Sequence, residues 1–176
     1  VTDDKETPHV NTKDAGIRNM NSTNLKRKIP SWKTARPRNC LSAPAKWLFD
    51  NGFIPMFQHY AMLDFGCGRG TDADILSIDR YDPYWHPTHL EPEQYDIILC
   101  TYVLCVLNKT KRKQVLDKIT NYLAPNGVAY ISVRRDVKKT IRRNGYSQWK
   151  VVLDYPLLYE NSSFCIYQMR KISDNA

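Results

Sequence analysis

The sequence predicts an α/β fold built on an open, mostly parallel sheet with right-handed crossovers, and three observations carry that expectation. The run from Tyr95 to Cys100 is almost continuously apolar, the pattern of a strand covered on both faces of a parallel sheet. The run from Tyr60 to Phe65 leads straight into Gly66-Cys67-Gly68-Arg69-Gly70, so a strand, a glycine-rich turn and a helix follow in order. Beyond that turn strand and helix patterns keep alternating, and no internal repeat interrupts them.

Taken in order, residues 1–31 are polar, rich in Asn, Thr, Asp and Lys, and show no sustained apolar period. They read as a mobile arm ahead of a single compact domain over residues 32–176. Regular structure is not expected before Ser42. There Ser42 suits an N-cap, Pro44 suits the first helical turn, and Ala45, Trp47, Leu48 and Phe49 form an apolar helical face ending at Asn51-Gly52. A helix of about eight residues follows from that pattern. Thr71 is the expected N-cap of a short helix through Leu76, and Ile78 to Asp82 the expected second strand. Lys111 to Leu123 is amphipathic, Pro125-Asn126-Gly127 closes that helix, and Val128 to Val133 is a further buried strand. Lys150 to Leu153 and Phe164 to Met169 read as two last strands, separated by a loop holding Pro156 and Asn161.

Composition bounds the function. A chain of 176 residues with 42% hydrophobic and 25% charged residues can bury a core, which excludes disordered and collagen-like classes. No apolar run reaches the roughly 18 residues of a membrane span, and residues 1–20 lack a signal-peptide core. A soluble, cytoplasmic protein is expected. Five cysteines form no CxxC pair and four histidines have no ligand spacing, so neither a disulfide framework nor a metal site is expected. The net charge of +8 is unevenly spread. Residues 1–50 carry ten Lys/Arg against five acids, residues 51–108 two against eight, and residues 109–176 fourteen against five. Basic flanks around an acidic middle suggest a surface for an anionic partner and a separate site that uses carboxylates.

The acidic middle centres on Leu63-Asp64-Phe65-Gly66-Cys67-Gly68-Arg69-Gly70. Glycines at every second position let a turn pass close to a ligand, and the helix that follows offers free N–H groups. The acid lies before the turn and the third glycine comes one residue early for a dinucleotide fingerprint, which argues against a nicotinamide cofactor. The arrangement resembles motif I of the class I S-adenosylmethionine-dependent methyltransferases. That resemblance implies a Rossmann-like fold whose mostly parallel sheet carries a C-terminal antiparallel strand, with S-adenosyl-L-methionine as cofactor. It also implies that Asp64 and the backbone of Gly66, Cys67 and Gly68 hold the methionine moiety, and that Gly70 admits the helix. Cys67 is otherwise a small residue that fits the turn, with nothing near it in sequence to activate a thiol. A carboxylate at the end of the second strand is expected to bind the ribose hydroxyls; Asp82 is the candidate and Asp79 the reserve, with a turn aspartate before Pro83 as the alternative. Thr101 and Tyr102, leaving the strand that starts at Tyr95, lie near the transferable methyl group by resemblance, while Tyr102 as a packing residue stays open. Asp96, early in that strand, is read as structural.

A narrower resemblance rests on GCGRG, the DPYWHP stretch, TYVLCVL, SVRRD and the later Gly145-Tyr146-Ser147-Gln148-Trp149. Over roughly residues 33–170 these look like the small methyltransferases of phages and of bacterial DNA phosphorothioation gene clusters, which implies a bacterial or phage-infected cytoplasm.

Methyl transfer from a sulfonium depends chiefly on alignment and exclusion of water, so no dedicated catalytic residue is required. A Pro-Cys dipeptide of cytosine C5 chemistry is absent, and Asp82-Pro83-Tyr84-Trp85 is one proline short of the amino-methylation loop. The basic flanks favour DNA or RNA as acceptor. Arg134, Arg135, Lys138, Lys139, Arg142 and Arg143 recur as pairs every four residues, so a helix would gather them on one half of its surface as a phosphate-binding face. Lys26, Arg27, Lys28, Lys33, Arg36 and Arg38, with Trp32 stacking on a base, suggest a second contact. A non-catalytic module that binds S-adenosylmethionine or nucleic acid, and a methyltransferase for a small molecule or protein, remain the alternatives. A protein partner remains open as well.

Overall fold

The computed structural model describes residues 30–55, 59–137, 141–143 and 146–171, and for residues 141–143 and 146 the backbone only. Structure begins with a single 3-10 turn at Ser31–Thr34, where the Thr34 hydroxyl donates to the Ser31 carbonyl at 2.6 Å. That is well before Ser42. The expectation of an irregular start fails because Trp32 finds its ring partners at Tyr84 and Trp85, far along the chain, where no local pattern can reveal them.

The elements that follow are α1 (Ala43–Asp50), β1 (Met62–Phe65), α2 (Thr71–Leu76), β2 (Asp79–Tyr81), β3 (Tyr95–Thr101), α3 (Lys109–Tyr122), β4 (Leu123–Arg134), β5 (Ile141–Arg143), β6 (Tyr146–Gln148), β7 (Leu157–Glu160) and β8 (Phe164–Arg170). Helix α1 has the expected length and cap: the Ser42 hydroxyl accepts from the Ala45 amide at 3.3 Å, and Pro44 sits in the first turn. Helix α2 starts one residue differently. Gly70, in the left-handed region at φ +86°, takes the N-cap position, and Thr71 is the first helical residue.

Six strands form one sheet in the order β2-β1-β3-β4-β8-β7, and β5 pairs only with β6. The first four strands are parallel; β8 runs antiparallel to β4, as the resemblance implied, and β7 antiparallel to β8. Helix α1 covers one face, packing Leu48 among Met62, Ile97, Leu99, Val128, Tyr130 and Ile166. Helix α3 covers the other, with Ile119 among Leu63, Ile98, Ile131 and Val133. Because both faces are buried, β3 and β4 carry apolar side chains on both sides of the pleat. All four parallel strands point their carboxyl ends toward the same edge, which is where the glycine turn leaves β1.

Three expectations are corrected. Lys150–Leu153 is not a strand; the partner of β8 is Leu157–Glu160. Asn161 decides this, because its side-chain oxygen accepts from the amides of Ser163 at 2.8 Å and Phe164 at 2.9 Å and closes a hairpin there. The helix suggested by the paired basic residues does not form over its described part: Arg134 ends β4, and Ile141–Arg143 pairs with Tyr146–Gln148. Lys26, Arg27, Lys28, Lys138 and Lys139 lie outside the described residues. Pro125-Asn126-Gly127 falls inside the path of β4 rather than ahead of it. Leu123 already pairs with Tyr95 and Val128 pairs with Ile97, so the residues between bulge outward with Asn126 at φ +64°.

Candidate active site

The glycine turn is stitched to the exit of β2. The amides of Gly66 and Cys67 both donate to the Tyr81 carbonyl, at 2.7 and 3.1 Å, and the Gly68 amide donates to the Asp82 carboxylate at 3.2 Å. Gly66 and Gly68 sit at φ +76° and +58°. A Cβ on Gly66 would lie 2.4 Å from Val103, and one on Gly68 would lie 2.9 Å from Ala35, so both positions require glycine on space as well as on backbone. Sequence and structure therefore bring Asp64, the turn, Asp82 and the residues leaving β3 to one place.

Asp82 is more committed than a ribose-binding residue needs to be. One oxygen accepts from the amides of Tyr84 at 2.9 Å and Trp85 at 3.0 Å, and the other from Gly68. Three of roughly four acceptor positions are thus in use, which leaves one for a ligand hydroxyl. Asp79 stands at the opposite, amino end of β2 and accepts from the Tyr95 hydroxyl at 3.0 Å, so it serves the sheet edge. Asp96 is structural as expected, taking the Ala61 amide at 2.9 Å.

Asp64 is 3% exposed, at the end of β1. Burial, then the charges of Asp72 and Asp82, push its carboxyl up to about 8, and only Arg38 pulls the other way. The sequence alone does not single out Asp72, and it offers Arg38 only as one of the basic residues of the second nucleic-acid contact. Asp72, 2% exposed in the first turn of α2, accepts from the Ser42 amide at 2.7 Å and pairs with the Arg38 guanidinium at 3.0 Å. An acid two residues after the last glycine was the available signal for Asp72. Arg38 had none, because its partners lie beyond the turn in sequence.

Arg38 belongs to a strap, residues 30–41, that lies across the glycine turn. Trp32 stacks on Tyr84 at 3.9 Å and 7°, meets Trp85 edge-on, and gives its carbonyl to the Trp85 indole N–H at 3.2 Å. Lys33 covers Trp32 at 5.1 Å, and Arg69 covers Trp85 at 4.4 Å. Trp32 thus stacks on a ring of its own chain, where the sequence alone suggested stacking on a base. Arg36 is exposed and stands apart from these contacts.

On the other side, Thr101 ends β3 opposite Ser132 of β4. Tyr102 follows in the left-handed region at φ +62°, its amide donating to the Ser132 carbonyl at 3.0 Å. Burial holds the Tyr102 phenol at about 12, so it stays a hydrogen-bond donor rather than a base. Burial and the neighbouring Asp64 charge likewise push the Cys67 thiol up, which keeps it unreactive. Of the six paired basic residues, Arg134 is engaged with Asp136 and Arg135 with Glu160. The side chains of Arg142 and Arg143 are not described.

No curated protein matches the chain in sequence. Residues 32–165 match the family described as methyltransferase domain. Among solved structures, an S-adenosylmethionine-dependent methyltransferase from Mesorhizobium loti aligns with a TM-score of 0.51 at 10% identity, covering 72% of this chain and 97% of its own. The 1,6-didemethyltoxoflavin-N1-methyltransferase of Burkholderia thailandensis, with bound 1,6-didemethyltoxoflavin and S-adenosylhomocysteine, aligns with a TM-score of 0.54 at 13% identity, covering 74% and 77%. At such identities the likeness is one of fold. The family match takes in the strap, the glycine turn and the strands on either side of it, and so the chain belongs to the methyltransferase-domain family, class I enzymes that take their methyl group from S-adenosylmethionine.

Proposed function

We propose that this enzyme methylates a nucleic acid held by basic residues beside the carboxyl ends of β3 and β4. The buried Asp64 carboxyl carries the assignment of the donor end. An acid whose ionisation is opposed by burial and by Asp72 suits a cationic ligand, and the methionine end of S-adenosylmethionine bears an ammonium and a sulfonium. When bound, the cofactor supplies a methyl group activated on sulfur. The residues present fit that group. Asp64 and the backbone of Gly66, Cys67 and Gly68 hold the methionine moiety, Gly70 lets α2 start close to it, and Asp82 offers its remaining acceptor position to one ribose hydroxyl. Arg38, oriented by Asp72, has N–H donors to spare for the methionine carboxylate. The Thr101 backbone lines the methyl side, and the strap excludes water.

The nucleic-acid acceptor is supported by charge: fourteen Lys/Arg against five acids after residue 108, with Arg134 and Arg135 at the transfer edge. The narrower resemblance to phage and phosphorothioation-associated methyltransferases points the same way, and with it to a cytoplasmic setting. No helix among the described residues is long and apolar enough to cross a membrane.

Two measurements test this. Calorimetry with S-adenosylmethionine is expected to show binding by the parent, lost in Asp64→Ala and weakened in Asp82→Ala; equal binding by all three overturns the donor assignment. Radiolabelled cofactor added to fractionated cell extract is expected to label the nucleic-acid fraction. Label in the small-molecule or protein fraction, or binding with no transfer to any fraction, overturns the acceptor.

A further inference from the structure

Asp64 is assigned to the donor, yet it is 3% exposed, too little for an ammonium group to reach its carboxyl as the chain stands. The glycine turn beside it is covered as well. Ala35 of the strap lies 2.9 Å from where a Cβ on Gly68 would stand. The Arg38 carbonyl accepts from the Thr71 hydroxyl at 3.5 Å, and the Arg38 guanidinium reaches Asp72 at 3.0 Å. The strap therefore follows the turn from its second glycine into α2, and a ligand that enters must lift some part of this cover.

The two sides of the cover are built differently. Beneath Trp32, the turn after β2 is rigid: Asp82 and His86 exchange both backbone hydrogen bonds at 3.1 Å, and the Asp82 carboxylate holds the amides of Tyr84, Trp85 and Gly68. The strap has no such frame. No residue from Pro30 to Leu41 is buried, and among the described residues its backbone-to-backbone hydrogen bonds are local, Lys33 to Pro30 and Ala35 to Trp32. It is held by the Trp32 stack on Tyr84, the Trp85 indole bond to the Trp32 carbonyl and the Arg38–Asp72 pair. Firm anchorage resumes at Ser42, whose amide donates to Asp72, and at Ala45 and Leu48, both 0% exposed. Releasing those few ties uncovers the turn and takes no buried side chain of the strap out of the core, so the opening is local and far less costly than unfolding.

We infer that residues 30–41 are the gate of the donor site: they swing away about Ser42 to admit S-adenosylmethionine and close again over it, Trp32 returning to Tyr84. The inference rests on the donor assignment and adds what controls entry. Trp32 and Tyr84 form the latch and act on the rate of entry rather than on the chemistry.

Stopped-flow tryptophan fluorescence follows entry, with Trp85 as reporter wherever Trp32 is replaced, and calorimetry gives the equilibrium affinity. In the parent the observed rate is expected to level off with rising S-adenosylmethionine, because entry waits for the gate. Trp32→Ala and Tyr84→Ala are each expected to raise that plateau and the release rate about fivefold, the weight of one stacked pair, with affinity unchanged within about twofold. The double variant gains no more than either single one. Trp32→Phe keeps a stacking ring and stays near the parent. Without ligand, the strap amides are expected to exchange hydrogen well before those of α1, and cofactor slows them. A rate that rises linearly, a plateau unchanged in Tyr84→Ala, or strap amides that exchange only together with α1 overturns the inference and leaves the donor assignment standing. So does tighter binding with an unchanged release rate, since the strap would then be displaced instead of closing again. A parent that binds no S-adenosylmethionine overturns both. Should Trp32→Ala fail to fold, Tyr84→Ala decides, because Tyr84 is 50% exposed.

Discussion

Asp64→Asn is the substitution whose consequence can be worked out most fully from the structure. It keeps the size of a side chain that is 3% exposed and removes its titration. The carboxyl titrates near 3.8 without the fold and near 8 within it. Between those values the folded chain binds a proton that the unfolded chain has released, so stability falls as pH rises through the window and levels off above about 8. Each pH unit costs about 1.4 kcal/mol, so the unrelaxed penalty at pH 7 is on the order of 4 kcal/mol, and local relaxation brings the expected figure to roughly 2–4 kcal/mol. The Asn variant does not bear it. Urea unfolding followed by tryptophan fluorescence at pH 5, 6, 7 and 8 is expected to show the variant gaining on the parent with each step, up to that amount. Comparing the two proteins cancels every other group, Asp136 included, whose carboxyl its Arg134 hydrogen bond holds below the usual range. A difference that stays flat from pH 5 to pH 8 would show that Asp64 is solvated and ionised, and the electrostatic basis for a cationic ligand would go with it. The same variant is expected to bind S-adenosylmethionine at least tenfold more weakly, so that stability and function move in opposite directions.

Gly68→Ala puts a Cβ 2.9 Å from Ala35 at φ +58°, and an expected loss of 1–3 kcal/mol in unfolding free energy, with weakened cofactor binding, is read by denaturation and calorimetry. Asp72→Ala leaves the buried Ser42 amide and Arg38 without their acceptor; a loss of about 2–4 kcal/mol is expected in chemical denaturation, and one below 0.5 kcal/mol would deny that Asp72 ties the strap to α2. Trp32→Ala removes one stacked and one edge-on ring contact, each worth about 1 kcal/mol, so limited proteolysis is expected to cut within residues 30–41 sooner than in the parent while the midpoint of global unfolding moves little. Asn161→Ala opens the turn between β7 and β8 and is expected to cost 1–2 kcal/mol, read as a shift in the urea midpoint.

Legibility in the sequence followed the range of the interactions concerned. Helix α1 was readable to the residue because Ser42, Pro44 and Asn51 act within one helical turn of their targets. The glycine turn was readable because three glycines at alternate positions are a local backbone requirement. Strand β7 was misplaced because Val151 and Leu157 look alike one at a time, and the hairpin turn at Asn161 selects between them. The basic pairs between Arg134 and Arg143 have helical spacing, yet among the described residues Arg134 ends a strand and Ile141–Arg143 pairs with Tyr146–Gln148, since strand pairing outweighs a periodicity of charged side chains.

By itself the sequence determined that a mostly parallel sheet would carry an acidic glycine turn at the carboxyl end of its first strand. Alternation, capping and glycine placement act over a few residues, and the charge balance is a sum over the chain. Only the tertiary structure decided which charges meet. Arg38 joins Asp72 and reaches Asp64, Trp32 closes on Tyr84, Asp82 spends three acceptor positions on its own backbone, and Arg134 is locked by Gln148. The physical reason is the same in each case. Burial and orientation set what a carboxylate or a guanidinium can do, and in each case at least one partner is brought by folding from 14 or more positions away.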